Sequence, residues 1–199
     1  MSDKQALRRA IRRSRETETV AAAAERAQLL RAIAPAVAEV CGSALAAFQP
    51  TNHEPDIGPL LQDLTATVYL PRIAPDAQLE WAVAVSEDLT GSRSGIPTPS
   101  GPVVASGGEI ARLGLGAILV PALAVDPMTG ARLGYGAGYY DRLLAQLPTD
   151  VLVIGVCREV DLVAVPAERH DVAMAAVLTE TGLRRIGSGE AVTASAPTA

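Results

Sequence analysis

The chain has 199 residues; 49% are apolar and only 3% aromatic, which fits one α/β domain whose core is filled by Ala, Val, Leu and Ile. Two cysteines, Cys41 and Cys157, exclude a disulfide framework, and no Cys/His spacing matches a zinc site; two free thiols in a reducing compartment is the expectation. The net charge of −5 is uneven: residues 1–15 carry six basic residues and one acid, giving +5, and the rest carries eleven basic and twenty-one acidic residues, giving −10. An acidic body argues against a nucleic-acid partner, while the basic N-terminus suits a small anion. The longest apolar run, Ala117 to Val125, is far short of the ~20 residues of a membrane helix and contains Pro121. Glu25 and Arg26 stand where a signal peptide would be apolar. The expectation is a cytoplasmic monomer that acts on small molecules, with no nucleic-acid or membrane partner.

Asp3 to Arg15 reads as a helix capped by Ser2 or Asp3, with Leu7 and Ile11 on one face. Thr17 to Val40, rich in Ala and Leu, reads as a second helix that Pro35 kinks or splits. Short apolar runs follow: Ala44 to Phe48, Ala66 to Leu70, Trp81 to Val85, Ala117 to Val120, Val151 to Val156 and Ala175 to Leu178. Helical patterns lie between some of them, at Asp56 to Leu64 and Tyr139 to Leu147. Apolar strands that lack polar alternation and are separated by helices predict a three-layer α/β/α domain, residues 1–186, around a mainly parallel sheet. Thr90 to Gly108, rich in Gly, Ser and Pro, reads as a long loop near a site. The small, polar stretch from Gly187 to Ala199 reads as a disordered tail.

The most informative stretch is Arg132-Leu133-Gly134-Tyr135-Gly136-Ala137-Gly138-Tyr139-Tyr140-Asp141-Arg142. Alternating glycines before a helix let backbone N–H groups approach a phosphate, and Arg132 can add a planar charged clamp. Neither the dinucleotide fingerprint nor the Walker A loop fits: the third glycine falls one residue early, and GK[ST] is absent. Spacing alone leaves a phosphate loop and a tight strand-to-helix connection equally open. Asp141 caps the helix or, beside a phosphate, holds Mg²⁺; Asp171 is a second such carboxylate. Lys4, the only lysine, shares one helical face with Arg8 and Arg12 at i, i+4 and i+8. A solvated face is the default reading, and an anion site built jointly with the glycine loop is the alternative. His53 and Glu54 follow a predicted strand in a polar turn. His170 has no evident catalytic partner, and Cys157 reads as an inert core thiol.

Taken together these segments resemble the 5-formyltetrahydrofolate cyclo-ligase (methenyltetrahydrofolate synthetase) family. The resemblance is carried by Leu119 to Asp126 and the Gly130 to Arg142 run, then by Val165-Pro166, His170-Asp171 and Thr179-Glu180. Upstream, Lys4-x-x-x-Arg8, Glu54, Leu70-Pro71-Arg72 and Gly95-Ile96-Pro97-x-Pro99 fall in the family's order, so it spans Lys4 to about Glu180. It implies conversion of 5-formyltetrahydrofolate to 5,10-methenyltetrahydrofolate with Mg²⁺ and with ATP as co-substrate. It further implies that Lys4 and Arg8 contact ATP phosphates and that Arg132, Leu133, Gly134, Tyr135, Gly136, Ala137, Gly138, Tyr139 and Tyr140 wrap the nucleotide. Tyr135 to Tyr139 also face the folate, Gln49 and Glu54 recognise its pterin, and Asp141 and Asp171 match the magnesium positions. Arg132 and Tyr139 are the expected catalytic residues. The sequence departs from the family at Ser94, usually aromatic, at Cys157 to Val160, and at Ala137, often Gly or Lys. A homologue that binds folate or nucleotide without turnover is the alternative; a sugar-phosphate or CoA-ester enzyme on a similar scaffold is a third reading.

Overall fold

The computed structural model describes residues 3–51, 54–84, 89–91, 97–168 and 171–192. Three helices open the chain. Helix α1 (Asp3–Glu16) falls where spacing put it. Thr19 caps α2 (Val20–Arg31): its hydroxyl accepts the Ala22 N–H at 3.2 Å, filling one of the donors that a helix start leaves open. The predicted second helix is split, restarting as α3 (Ala34–Cys41) with Pro35 in its first turn, where a missing N–H breaks no helical bond.

β1 (Ala44–Ala46) is followed by the short helix α4 (Gly58–Gln62), then β2 (Thr67–Ile73) and β3 (Leu79–Val83). β4 (Leu89–Gly91) and β5 (Pro97–Pro99) pair antiparallel, and β6 (Ala105–Ser106) leads into a 3-10 helix, Gly107–Leu113. β7 (Leu115–Pro121) precedes a second small antiparallel pair, β8 (Ala124–Val125) and β9 (Arg132–Leu133). Helix α5 (Tyr139–Leu144), β10 (Leu152–Val156), β11 (Ala176–Thr179) and β12 (Gly182–Arg185) complete the order.

The main sheet runs β12-β11-β10-β7-β1-β2-β3-β6. From β11 to β2 every pairing is parallel. Antiparallel strands close both margins: β12 at one end, β3 and β6 at the other. β7 shows how the layers arise. Ala117 and Leu119 enter a core with Leu30, Val37 and Leu60 of α2, α3 and α4. Ile118 and Val120 enter a second core with Ile110 of the 3-10 helix and Leu143 and Leu144 of α5. Alternation on a strand covered on both faces therefore yields three layers. In a third, smaller core, Ile11 with Leu7 beside it meets Leu123, Leu133 and Val165, which seats α1 against the β8–β9 pair.

Several boundaries differ from those predicted. α4 and α5 are shorter than Asp56 to Leu64 and Tyr139 to Leu147. After Leu144 the bonds tighten to three-residue spacing, Gln146 N–H to Leu143 O at 2.9 Å and Leu147 N–H to Leu144 O at 3.3 Å, before Pro148 stops the turn. Thr90 to Gly108 is not one loop: β5 and β6 lie within it, and the Trp81 indole donates to Gly107 O at 3.2 Å. The first part of the expected tail, Gly187 to Val192, folds back on β12. Val192 donates to Leu183 O at 3.2 Å, and its side chain enters the first core, so one apolar residue outweighs a polar composition. The rest of that tail, Ser2, His53, Ser94 and His170 lie outside the described residues.

Candidate active site

A pocket of about 650 Å³ opens at the carboxyl ends of the parallel strands. The chain places β2 on one side of β1 and β7 on the other, and such a change of direction leaves a crevice at the strand ends. Phe48 and Gln49 enter it from the segment after β1, Pro71, Arg72 and Ile73 from β2, and Pro121 from β7. Pairing of β1 with β2 ends at Ala46 and Tyr69, so Pro71 deprives that ladder of no donor and its ring lines the pocket. The glycine loop, Gly134 to Gly138, forms another wall with Tyr139, Tyr140 and Asp141.

The loop's sequence is explained by what lies beneath it. A Cβ on Gly134 would come within 2.7 Å of the Arg132 guanidinium, so a side chain there would push that group from its place beneath the loop. Gly138, at φ 72°, takes the left-handed conformation immediately before α5. Arg132 is buried; its Nη1 donates to Pro121 O at 3.2 Å and its Nη2 to Asp141 Oδ1, and the guanidinium lies 6.0 Å from the Tyr140 ring centre. The predicted clamp thus stands in the pocket already braced by a carboxylate. Arg142 covers the Tyr139 ring at 5.5 Å.

The cationic face of α1 is docked on this loop, contrary to the default of a solvated face. Arg8 Nε donates to Gly134 O and Arg12 Nη2 to Tyr135 O, both at 2.9 Å. Lys4, almost fully buried, pairs with Asp171 at 2.8 Å and Glu168 at 3.3 Å. One turn further, Arg15 was not predicted. It is buried, and its guanidinium donates to the Tyr135 hydroxyl at 2.7 Å, to the Ala122 and Leu123 carbonyls at 3.0 Å, and to Asp161. Asp161 also binds Arg158 at 2.8 Å. The helical period that joins Lys4, Arg8 and Arg12 extends to Arg15 and carried this signal in the sequence.

Glu54 approaches from the turn after β1. Its carboxylate accepts the Thr51 N–H at 2.8 Å, and Glu54 N–H returns to Thr51 O at 3.0 Å. Burial holds its pKa above the usual carboxylate value against the Thr51, Arg15 and Tyr135 interactions that lower it. The Tyr135 hydroxyl is pushed up in turn, by burial first and by the Glu54 charge second. A guanidinium only donates, so Arg15 takes the lone pairs of Tyr135 and leaves its proton for Glu54.

Of the residues singled out from sequence, Gln49, Glu54, Arg132 and Asp141 line one pocket with Gly134 to Tyr140. Leu133 does not; it is fully buried in the third core. Lys4, Arg8 and Asp171 are not among the lining residues but stand on its brace. Asp141 and Asp171 are held by different cations, Arg132 and Lys4. Among the described residues no three metal-ligating side chains cluster. Cys157 is buried, which raises its thiol pKa and accords with an inert core thiol. Among the described residues no helix is long and apolar enough to cross a membrane.

Fold and pocket define an α/β protein that takes a small molecule at the carboxyl edge of a mainly parallel sheet. Residues 1–180 match the model of the 5-formyltetrahydrofolate cyclo-ligase family. The chain is 39% identical over 152 residues to the 5-formyltetrahydrofolate cyclo-ligase of Mycolicibacterium smegmatis, covering 71% of this chain and 75% of that one. It is similar in structure to the Aquifex aeolicus 5,10-methenyltetrahydrofolate synthetase, with a TM-score of 0.73, 25% identity and 95% of both chains covered. The Mycoplasma pneumoniae 5,10-methenyltetrahydrofolate synthetase shares the fold at a TM-score of 0.66 and 19% identity, over 88% of this chain and 98% of that one. The chain belongs to the 5-formyltetrahydrofolate cyclo-ligase family.

Proposed function

We propose that this protein uses ATP to convert 5-formyltetrahydrofolate to 5,10-methenyltetrahydrofolate, releasing ADP and phosphate. The observation that carries the reading is the shared pocket: a glycine loop with Arg132 and Asp141 on one wall, and Gln49 and Glu54 beside it. An N-formyl group is an amide, so resonance weakens its carbon as an electrophile. Transfer of the γ-phosphoryl group to the formyl oxygen creates a leaving group. N10 then attacks the formyl carbon and loses its proton, the C–O bond breaks, and phosphate departs. Such chemistry asks the protein for alignment and for neutralisation of phosphate charge. Arg132 supplies the cation and the glycine loop the backbone donors, with Tyr139 against the reacting groups. Gln49 and Glu54 orient the pterin, the ionised Glu54 carboxylate accepting its N–H groups.

Magnesium binds through one or two carboxylates together with phosphate oxygens. Asp141 fits such a role: it lines the pocket, 43% of its side chain is exposed, and Arg132 engages only one of its oxygens. Asp171, held by Lys4, is the second candidate. The ion supplies charge neutralisation at the phosphates when bound. Lys4 and Arg8 then act as anion contacts once phosphate competes for them. The reading is of a cytoplasmic monomer working on small molecules, and the acidic body beyond residue 15, at −10, disfavours a nucleic-acid partner.

The test is turnover. Purified protein with Mg-ATP and 5-formyltetrahydrofolate is expected to form the methenyl chromophore with one ADP per product. Folded protein that binds either ligand, by thermal shift, yet makes no product would favour the homologue without turnover.

A further inference from the structure

Four of the described residues lining the pocket are charged: Glu54, Arg72, Arg132 and Asp141. Of the two cations, Arg132 is committed to Asp141 and Pro121 O. Arg72 is held differently. It faces Glu80 across the β2–β3 pair; its Nε donates to Glu80 Oε2 at 3.2 Å, and its Nη1 reaches Gly101 O at 3.5 Å. A guanidinium carries five N–H donors, and Nη2 of Arg72 has no hydrogen-bond partner among the described residues. Pro71, Ile73 and Leu79 make the wall around it apolar.

Position adds to this. β2 pairs with β1 up to Tyr69, opposite Ala46, and Arg72 lies three residues further on. At a rise of about 3.3 Å per residue, it stands ~10 Å beyond the paired end of β1, at the carboxyl edge of the sheet. Its side chain is 28% exposed, so a ligand reaches it without displacing core packing.

We infer that the open edge of Arg72, oriented by Glu80, binds a carboxylate of the substrate's glutamate tail. The inference rests on the cyclo-ligase reading. A formyltetrahydrofolate is donor-rich at its bicyclic ring and doubly anionic at the opposite end. The ring suits Glu54, whose charge repels the tail, as does that of Asp141. A tail carboxylate is planar and matches a guanidinium edge whose plane is already fixed. Among the described lining residues, Arg72 is the cation that the loop does not use.

Steady-state KM is to be measured for 5-formyltetrahydrofolate and for 5-formyltetrahydropteroate, which lacks the glutamate, in the wild type, Arg72→Gln and Arg72→Lys. The wild-type KM is expected to be about tenfold or more higher for the pteroate. In Arg72→Gln the ratio of the two falls to within about twofold of one, and in Arg72→Lys it lies between, because a point charge replaces the fork. A ratio near one in the wild type, or the wild-type ratio kept in Arg72→Gln, overturns the assignment. If Arg72→Gln does not fold, Arg72→Lys decides: it retains a charge for Glu80, and an unchanged ratio overturns the assignment. A folded wild type that turns over neither folate defeats the cyclo-ligase reading itself, a result distinct from loss of the ratio alone.

Discussion

The glycine-loop wall of the pocket and the β2–β3 wall differ in how their charges are held. On the loop side, Arg8, Arg12 and Arg15 bind backbone or hydroxyl oxygens of the loop and its surroundings, and Arg132 is buried beneath it. Behind them, Arg15 and Arg158 share the buried Asp161. On the strand side, the described charges that meet are Arg72 and Glu80, both partly exposed, in an apolar setting. The first wall is fixed before any ligand arrives, as stabilisation of a developing phosphate charge requires. The second has an apolar surface and one open polar edge, the pattern of a wall that recognises rather than reacts. Mutations should therefore hit turnover on one wall and substrate preference on the other.

The largest effect is expected from Arg132→Ala. Removing a preorganised donor from a charge-stabilising site costs about 10²–10³ in kcat. Steady-state kinetics with varied ATP check this, alongside a denaturation midpoint that confirms folding. A loss no larger than that of Arg72→Gln would erase the distinction between the walls and return Arg132 to a structural role.

The sequence disclosed these two walls unequally. The parallel centre was legible because strands buried on both faces are continuously apolar: Ala117 to Val120 could be assigned without a partner. The outermost strands were not. β6 has two residues and β12 reads Gly182-Leu183-Arg184-Arg185, so neither presents an apolar run. The loop wall was half legible. Arg132 to Asp141 stood out by its glycines, and Lys4, Arg8 and Arg12 by their helical spacing. That Arg8 and Arg12 seize the loop's own carbonyls depends on the third core, where Ile11 meets Leu123 and Leu133, a contact that no local pattern encodes. Arg72 was visible only as part of a tripeptide, because its partner Glu80 is fixed by antiparallel register rather than by spacing.

Stability should separate the walls next. Arg15→Met leaves the Ala122 and Leu123 carbonyls without that donor and, among the described residues, leaves Asp161 with Arg158 as its one charged partner. Removing one member of a buried charge network costs about 3–5 kcal/mol, with the lower end expected here because Arg158 remains. Removing the partly exposed Arg72 costs roughly 1 kcal/mol or less. Urea denaturation of both variants measures the difference. Equal losses would mean that the α1 brace is not what holds the loop.

The smallest stability effect comes from Glu54, and its sign is opposite. Burial raises its folded pKa above the ordinary 4.5. Below pH 4.5 the group is protonated in both states, and its contribution to stability is fully present. As pH rises through the folded pKa, the native carboxyl must ionise in a partly desolvated site, and that contribution is lost. Glu54→Gln removes the ionisation while keeping an acceptor for the Thr51 N–H, so it should raise the denaturation midpoint at neutral pH and leave it unchanged below 4.5. The same variant should raise KM for the folate while sparing KM for ATP, because on the proposed reading the charge serves the pterin and not the phosphates. The wild-type folate KM should likewise climb on acidification, starting above pH 4.5. A neutral-pH midpoint lowered by Glu54→Gln would mean that the carboxylate stabilises the turn through Thr51 and Tyr135, placing Glu54 with the braced wall.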